Sequence, residues 1–172
     1  MKAIVRVAFL SPGDDPDTHD LARRLVALEH SARVIAPTPQ GIVGALERRL
    51  RRRGYLEHLT SAPASYLALR RGSDQVAHVA HPAVVPAATR WTRETGRPFV
   101  FHYPGVPDHA DLVSQRRKLE LMNSASRVAA AVVATSDAAA RAFERWLGVE
   151  ARVFDADAGP QAWLELYAEV TA

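Results

Sequence analysis

Short apolar, β-favouring runs alternate with stretches of helical periodicity along the chain, and no other feature of the sequence constrains the fold as much. Residues 4–10 are apolar except for Arg6 and end in Ser11-Pro12-Gly13, a turn signal. Asp17, Thr18 or Asp20 can cap a helix that puts Leu21, Leu25 and Leu28 on one face. Residues 32–36 form a second short run, stopped by Pro37 and Pro39. Ile42, Val43, Leu46 and Leu50 give helical spacing up to Gly54, and a further helical stretch over 55–70 stops before Gly72. Val76–Val79 reads as a strand. Residues 84–95 read as a helix, with Pro86 tolerable only in its first turn. Phe99, Val100 and Phe101 form a strand that runs into His102, Tyr103 and a rigid Pro-Gly loop. A helix over 111–126, a strand over 128–134 and a helix capped by Ser136 or Asp137 follow, with Gly148 at that helix's C-terminal end. A short strand over 149–154 and a helix over 161–170 close the chain. Such alternation implies an α/β fold with helices on both faces of a mostly parallel sheet of about six strands. Val5, Val7, Phe9, Val100 and Val132 are its expected core.

With 172 residues the chain can bury a real core as one domain. It has no cysteine, so disulfides and thiolate metal sites are excluded. The opening run is too short for a secretory signal, and no stretch approaches the roughly 20 apolar residues that span a bilayer. A cytoplasmic location is expected. The net charge is +3, and among the 22 lysines and arginines only Lys2 and Lys118 are lysine. Arginine suits carboxylate and phosphate recognition, but composition alone locates no partner.

In a parallel sheet, ligands bind beyond the carboxyl ends of the strands. Four strand exits carry polar residues: 11–15, 78–81, 102–103 and 135–137. The candidate site therefore comprises Ser11, Gly13, Asp14, Asp15, His78, His81, His102, Tyr103 and Ser136, converging on one concavity. No GxGxxG, GxxxxGK[ST] or GxSxG motif is present. Asp14, Asp15 and Asp17 in the first loop disfavour a pyrophosphate there. Asp14 or Asp15 suits a general base; a solvated acidic turn capping the first helix is the plainer reading. His78-x-x-His81 has no carboxylate at a diagnostic spacing, so no metal and no cofactor are expected. Arg48, Arg49, Arg51, Arg52 and Arg53 oppose the apolar face of their helix. They read as a solvated outer face, or as a contact for an anionic membrane surface or acceptor. No interleaved aromatic residues support base stacking, so nucleic acid is not expected as a partner.

"SDQVAHVAHPAVVPAATRWTRETGRPFVFHYPG" resembles the middle of the N-terminal lobe of GT-B glycosyltransferases of the retaining, family-four type. "SRVAAAVVATSDAAARAFERWLGVEARVF" resembles the next segment, and "RVAFLSPGDDPDTHDLARRLVALEHSARVIAPTP" the first strand, helix and second strand. The resemblance covers roughly 4–155 and implies a Rossmann-like three-layer sandwich that holds the acceptor. It places the N-lobe over 1–155. "GPQAWLELYAEVTA", within 156–172, resembles the closing helix that returns from the second lobe to pack on the first. The sequence also departs from the family pattern. "GDDPDTHD" replaces the glycine-rich first loop, and Ala80 stands where a histidine is common. Pro104 occupies another histidine position, for which His102 substitutes only if the loop has shifted. "VFDADAG" lacks the Asn-Gly turn that leads into the second lobe, and the donor-binding lobe with its paired glutamates is absent. The resemblance therefore implies the acceptor-binding half of a split glycosyl transfer system, inactive alone. Its partner would be a separate donor-lobe protein or a second copy of the chain. The alternative is a non-catalytic binding or regulatory protein built on the same lobe.

Overall fold

A computed structural model describes residues 4–37, 58–155 and 158–172. Six strands, β1 (Arg6–Leu10), β2 (Ser31–Ile35), β3 (Val76–Val79), β4 (Phe99–Tyr103), β5 (Ala131–Ala134) and β6 (Arg152–Val153), form one sheet in the order β2-β1-β3-β4-β5-β6. Every pairing is parallel. The helices are α1 (Pro16–Ala27), α2 (His58–Arg70), α3 (Val85–Thr95), α4 (His109–Ser114), α5 (Arg116–Val128), α6 (Asp137–Leu147) and α7 (Pro160–Thr171), with a 3₁₀ turn over Pro82–Val84. The fold is the α/β Rossmann-like sandwich that the alternation implies.

The strand order decides which face each helix covers. The chain steps from β1 to β2 in one direction, then returns past β1 to β3 and continues the same way to β6. Right-handed crossovers therefore put α1 on one face and the helices that follow on the other. Two cores result. On one face Leu10, Val79, Phe99, Phe101 and Val132 pack with Tyr66 and Leu69 of α2, Trp91 of α3, Met122 of α5 and Phe143 of α6. On the other, Val7, Phe9, Val76, Val100 and Val133 pack with Ala22 and Leu25 of α1. A winding that runs on in one direction leaves the β3–β5 half of this second face bare. The last helix fills it: Trp163, Leu164, Leu166 and Tyr167 of α7 complete that core.

Local signals set most boundaries. Gly96 and Gly148 end α3 and α6 with φ of 69° and 65°, a left-handed conformation that costs glycine nothing. Ser136 caps α6 by accepting from the Ala139 N–H. The strand expected over 149–154 is the two-residue β6, Arg152–Val153, and at four further places the structure differs from expectation. The cap position of α1 is Asp15, with Pro16 opening the helix, so Asp17 and Thr18 lie inside the first turn. The helix expected over 111–126 is two helices meeting at Gln115. The strand expected over 128–134 starts at Ala131, because Val128 completes α5. Val7, Phe9, Val100 and Val132 are buried, whereas Val5 is only partly so. The run bearing Arg48, Arg49, Arg51, Arg52 and Arg53 lies outside the described residues. Among the described residues, no helix is long and apolar enough to cross a membrane.

Candidate functional site

The sheet order reverses direction between β1 and β3, and a ligand crevice in such a sheet opens at that point beyond the carboxyl ends of the strands. A pocket of about 460 Å³ lies there. Asp15, Asp17, Thr18, Asp20, Leu21 and Arg24 line it from the start of α1. His78, Ala80, His102, Pro104 and Thr135 line it from the exits of β3, β4 and β5, and Phe154, Asp155, Ala158 and Trp163 close the far side. A second hollow, of about 530 Å³, lies on α2 and α3 among Leu59, Tyr66, Leu67 and Arg90. Its lining includes His58, Tyr66, Arg70 and Arg90 but no carboxylate.

The floor of the first pocket is aromatic and histidine-rich. His78 stands on the α1/α7 face of the sheet, level with Phe9 and Val100. Its ring centroid is 4.8 Å from those of Phe9 and Trp163, and that of His102 is 5.0 Å from Trp163. Phe154 meets Trp163 edge-on at 4.7 Å. The His78 Nδ1 lies 2.6 Å from the Tyr167 hydroxyl, and its Nε2 lies 3.2 Å from the His102 Nδ1. The remaining His102 nitrogen, Nε2, is buried without a hydrogen-bond partner among the described residues. Burial pushes the His78 pKa well below the ordinary histidine value, helped by His102. Burial also pushes His102 down to about 4, although the Asp15 charge opposes this. Both imidazoles are therefore neutral at pH 7.

The rim is acidic. Asp15 accepts a hydrogen bond from the Thr18 hydroxyl at 2.5 Å. Asp20 pairs with Arg24 at 2.6 Å. The lining carries four carboxylates, Asp15, Asp17, Asp20 and Asp155, and one guanidinium. Such a rim repels a phosphate and suits a ligand that offers hydroxyl or ammonium donors. Among the described residues, no group of three or more histidine, aspartate or glutamate side chains is placed to hold a metal ion.

Of the nine candidate residues, the structure brings Asp15, His78 and His102 together. The other six have different roles. Ser11 is buried at the end of β1, where its N–H bonds the Ile35 carbonyl and its Oγ is 3.5 Å from the Gly13 N–H. Asp14 faces solvent and pairs with His19 at 2.8 Å. His81 caps the 3₁₀ turn by accepting from the Ala83 N–H. Ser136 caps α6. Tyr103 points to the opposite face from His102, because successive strand residues alternate. There it packs against Phe101 and Phe143 and beneath the Lys118 ammonium. Position after a strand identifies the right edge of the sheet but not which side of it. The side is readable from strand parity once β3 and β4 are in register. Trp163 and Tyr167 were legible as helix-face residues. Their part in the pocket depends on where α7 docks, which has no local signal.

The family described as Glycosyltransferase Family 4 matches residues 18–154. The chain belongs to glycosyltransferase family 4. No curated protein matches it in sequence. A solved structure of sucrose-phosphate synthase from Thermosynechococcus elongatus is similar over 97% of this chain and 99% of that one. Its TM-score is 0.70 at 12% identity, a likeness of fold. The matched family-4 segment includes β2 to β6 and most of α1, and so takes in Thr18, Asp20, Arg24, both pocket histidines and Thr135.

Proposed function

We propose that this family-4 lobe binds a hydroxyl-bearing acceptor in the pocket between α1, α7 and the strand exits, as one half of a split glycosyl transfer system. The observation that carries the reading is the composition of that pocket: a buried, unpartnered imidazole nitrogen at its floor and carboxylates at its rim. Sugars and polyols present closely spaced groups that both accept and donate, and this lining offers partners for both. The acidic rim argues against the diphosphate of a nucleotide donor lying here, so the donor would be held by another protein. Only six residues, 154–159, separate β6 from α7 in the sequence, too few for a donor lobe at that point. The likeness of fold to the sucrose-phosphate synthase structure runs over 97% of this chain, and this supports α7 as the closing helix of an N-lobe.

Ligand-observed NMR tests this reading, with methyl glycosides and free polyols in one arm and sugar nucleotides in the other. Glycosides should show saturation transfer that His102→Ala abolishes, and sugar nucleotides should show none. Saturation of a sugar nucleotide, lost in the same variant, would overturn the assignment of the pocket to an acceptor. A second reading, a non-catalytic binding protein, is favoured by one observation. All three strand-exit histidines have ring nitrogens engaged within the fold: His78 at both by Tyr167 and His102, His102 at Nδ1 by His78, and His81 at Nδ1 by the cap it makes. Co-purification separates the two readings. A split enzyme should be recovered with a donor-lobe protein and show transfer activity; a binding protein should not.

A further inference from the structure

We infer that Tyr167, on the last helix, fixes the direction of a buried hydrogen-bond chain and thereby makes His102 a neutral N–H donor to the pocket, not a base. The chain runs from the Tyr167 hydroxyl to His78 Nδ1 at 2.6 Å, then from His78 Nε2 to His102 Nδ1 at 3.2 Å. Tyr167 is fully buried and His78 is 1% exposed, so water supplies neither of them with a partner. Burial raises the phenol pKa and lowers both imidazole pKa values, so the three groups are neutral together.

Three neutral groups hold three protons between them: one on the phenol and one on each ring. Only two arrangements satisfy both hydrogen bonds. In the first, the phenol donates to His78 Nδ1, the His78 Nε2–H donates to His102 Nδ1, and the remaining proton sits on His102 Nε2. In the second, every bond is reversed. His102 Nδ1–H donates to His78, His78 Nδ1–H donates to the phenol oxygen, and the Tyr167 O–H points at nothing. The Tyr167 hydroxyl has no other hydrogen-bond partner among the described residues; of Tyr167, the Thr171 hydroxyl bonds only the backbone carbonyl. The second arrangement thus strands the phenol O–H inside an apolar core of Trp163, Leu164 and Phe9 and leaves the His102 Nε2 lone pair unpartnered as well, two unsatisfied buried groups against one. The first leaves a single unpaired group, the His102 Nε2–H. That nitrogen lies across the ring from the His78 contact, on a residue that lines the pocket.

The consequence for the site rests on the acceptor-pocket reading above. The floor donates through His102 Nε2–H, and the rim accepts through Asp15 and its neighbours. A ligand hydroxyl held between them has its oxygen on His102 and its proton toward a carboxylate. His102 cannot take that proton, since its one basic nitrogen is occupied by His78. Tyr167 is a positioning residue, separated from the pocket by His78 and acting through it.

Long-range ¹H–¹⁵N correlation spectra of the histidine-labelled full chain at pH 7 test the inference, because the two tautomers differ in their ring nitrogen shifts. Both His78 and His102 should carry the proton on Nε2, in about tenfold excess or more. Tyr167→Phe keeps the ring and removes the hydroxyl, and should bring the Nδ1–H form of His102 up several-fold while circular dichroism stays native. A His102 found mainly as the Nδ1–H tautomer in the wild type would overturn the inference; so would a folded Tyr167→Phe protein with unchanged tautomers. If that variant does not fold, the wild-type spectrum alone decides. The readout needs no ligand, so it fails or succeeds independently of glycoside binding.

Discussion

A buried histidine stores a pH dependence whose sign follows from the direction of its shift. His102 has a folded-state pKa of about 4, lowered chiefly by burial against the opposing pull of Asp15, and the His78 shift is in the same direction. Between pH 4 and 6.5 the unfolded chain therefore binds more protons than the folded one. The stability that His102 contributes is complete above about pH 6.5 and is lost as pH falls toward 4, and the His78 contribution falls with pH in the same direction. For His102 alone the loss amounts to roughly 3 kcal/mol, at about 1.4 kcal/mol per unit. Urea melts of His102→Gln should show a shallower acid slope than wild type over that interval, and equal slopes would refute it. The far edge of the sheet holds a second buried polar contact. Asp74 is buried and accepts from Arg33 Nε at 3.0 Å, while Arg33 Nη2 also donates to the Ala68 carbonyl. A Cβ at Gly72 would overlap both the guanidinium and the carboxylate. Asp74→Ala should cost about 2–4 kcal/mol by leaving the Arg33 head without its main partner. Gly72→Ala should be destabilising for a steric reason, and combining the two should cost less than their sum. None of this was legible from local sequence, since Arg33 and Asp74 meet only through the β2–β1–β3 register.

At the scale of elements, α7 has a role that no earlier helix can fill. Strand order leaves the β3–β5 half of one face uncovered after six strands, and Trp163, Leu164, Leu166 and Tyr167 cover it. The exposed Arg152–Glu169 ion pair adds a tether between the edge strand β6 and α7, though surface pairs contribute little. Trp163→Ala should lower stability by about 3–5 kcal/mol, as expected for a large buried aromatic. Removing 158–172 should expose Val100, Val133 and His78 and yield a chain that binds a hydrophobic dye and unfolds without a sharp transition. A truncated chain that melts as cooperatively as the full one would refute the packing role. The existence and type of nearly every described element were legible, because most strands are compact apolar runs and most helices have a cap, a proline or a glycine near an end, α5 and the two-residue β6 being exceptions. The α4–α5 break was not, since Gln115 is neither Pro nor Gly and the helical spacing runs through it. The site was legible as an edge: Asp15, His78 and His102 lie in one pocket, whereas Tyr103 is turned away by strand parity and Ser11, His81 and Ser136 serve the backbone. Picking out the members needed the register and the docking of α7, both non-local.

At the scale of the whole molecule, charge and architecture together direct what can bind and what can react. The pocket rim sets four carboxylates against one guanidinium, while the chain as a whole carries +3. The local field around the pocket is thus opposite in sign to the net charge, and it should select ligands more than total charge does. Amino-substituted glycosides should bind more tightly than their neutral counterparts, with the preference shrinking as salt rises, since exposed charges are screened over about 8 Å at physiological ionic strength. An unchanged preference between low and high salt would remove the electrostatic account. The same field bears on catalysis. Breaking a sugar–phosphate bond develops negative charge on the departing diphosphate, and acceleration requires groups that stabilise that charge more in the transition state than in the ground state. Apart from Arg24, which pairs with Asp20, the described pocket offers carboxylates and neutral imidazoles where such a reaction needs cations. We therefore expect the pure chain to transfer no sugar from a nucleotide donor to a glycoside, and to do so only when a protein that binds the donor is added. A donor-release assay checks this with the chain alone, the partner alone and the two together. Turnover in the mixture that His102→Ala and Asp15→Asn both reduce would support the split system. Robust turnover by the chain alone would overturn it and require donor-binding groups that this lobe supplies itself or through a second copy.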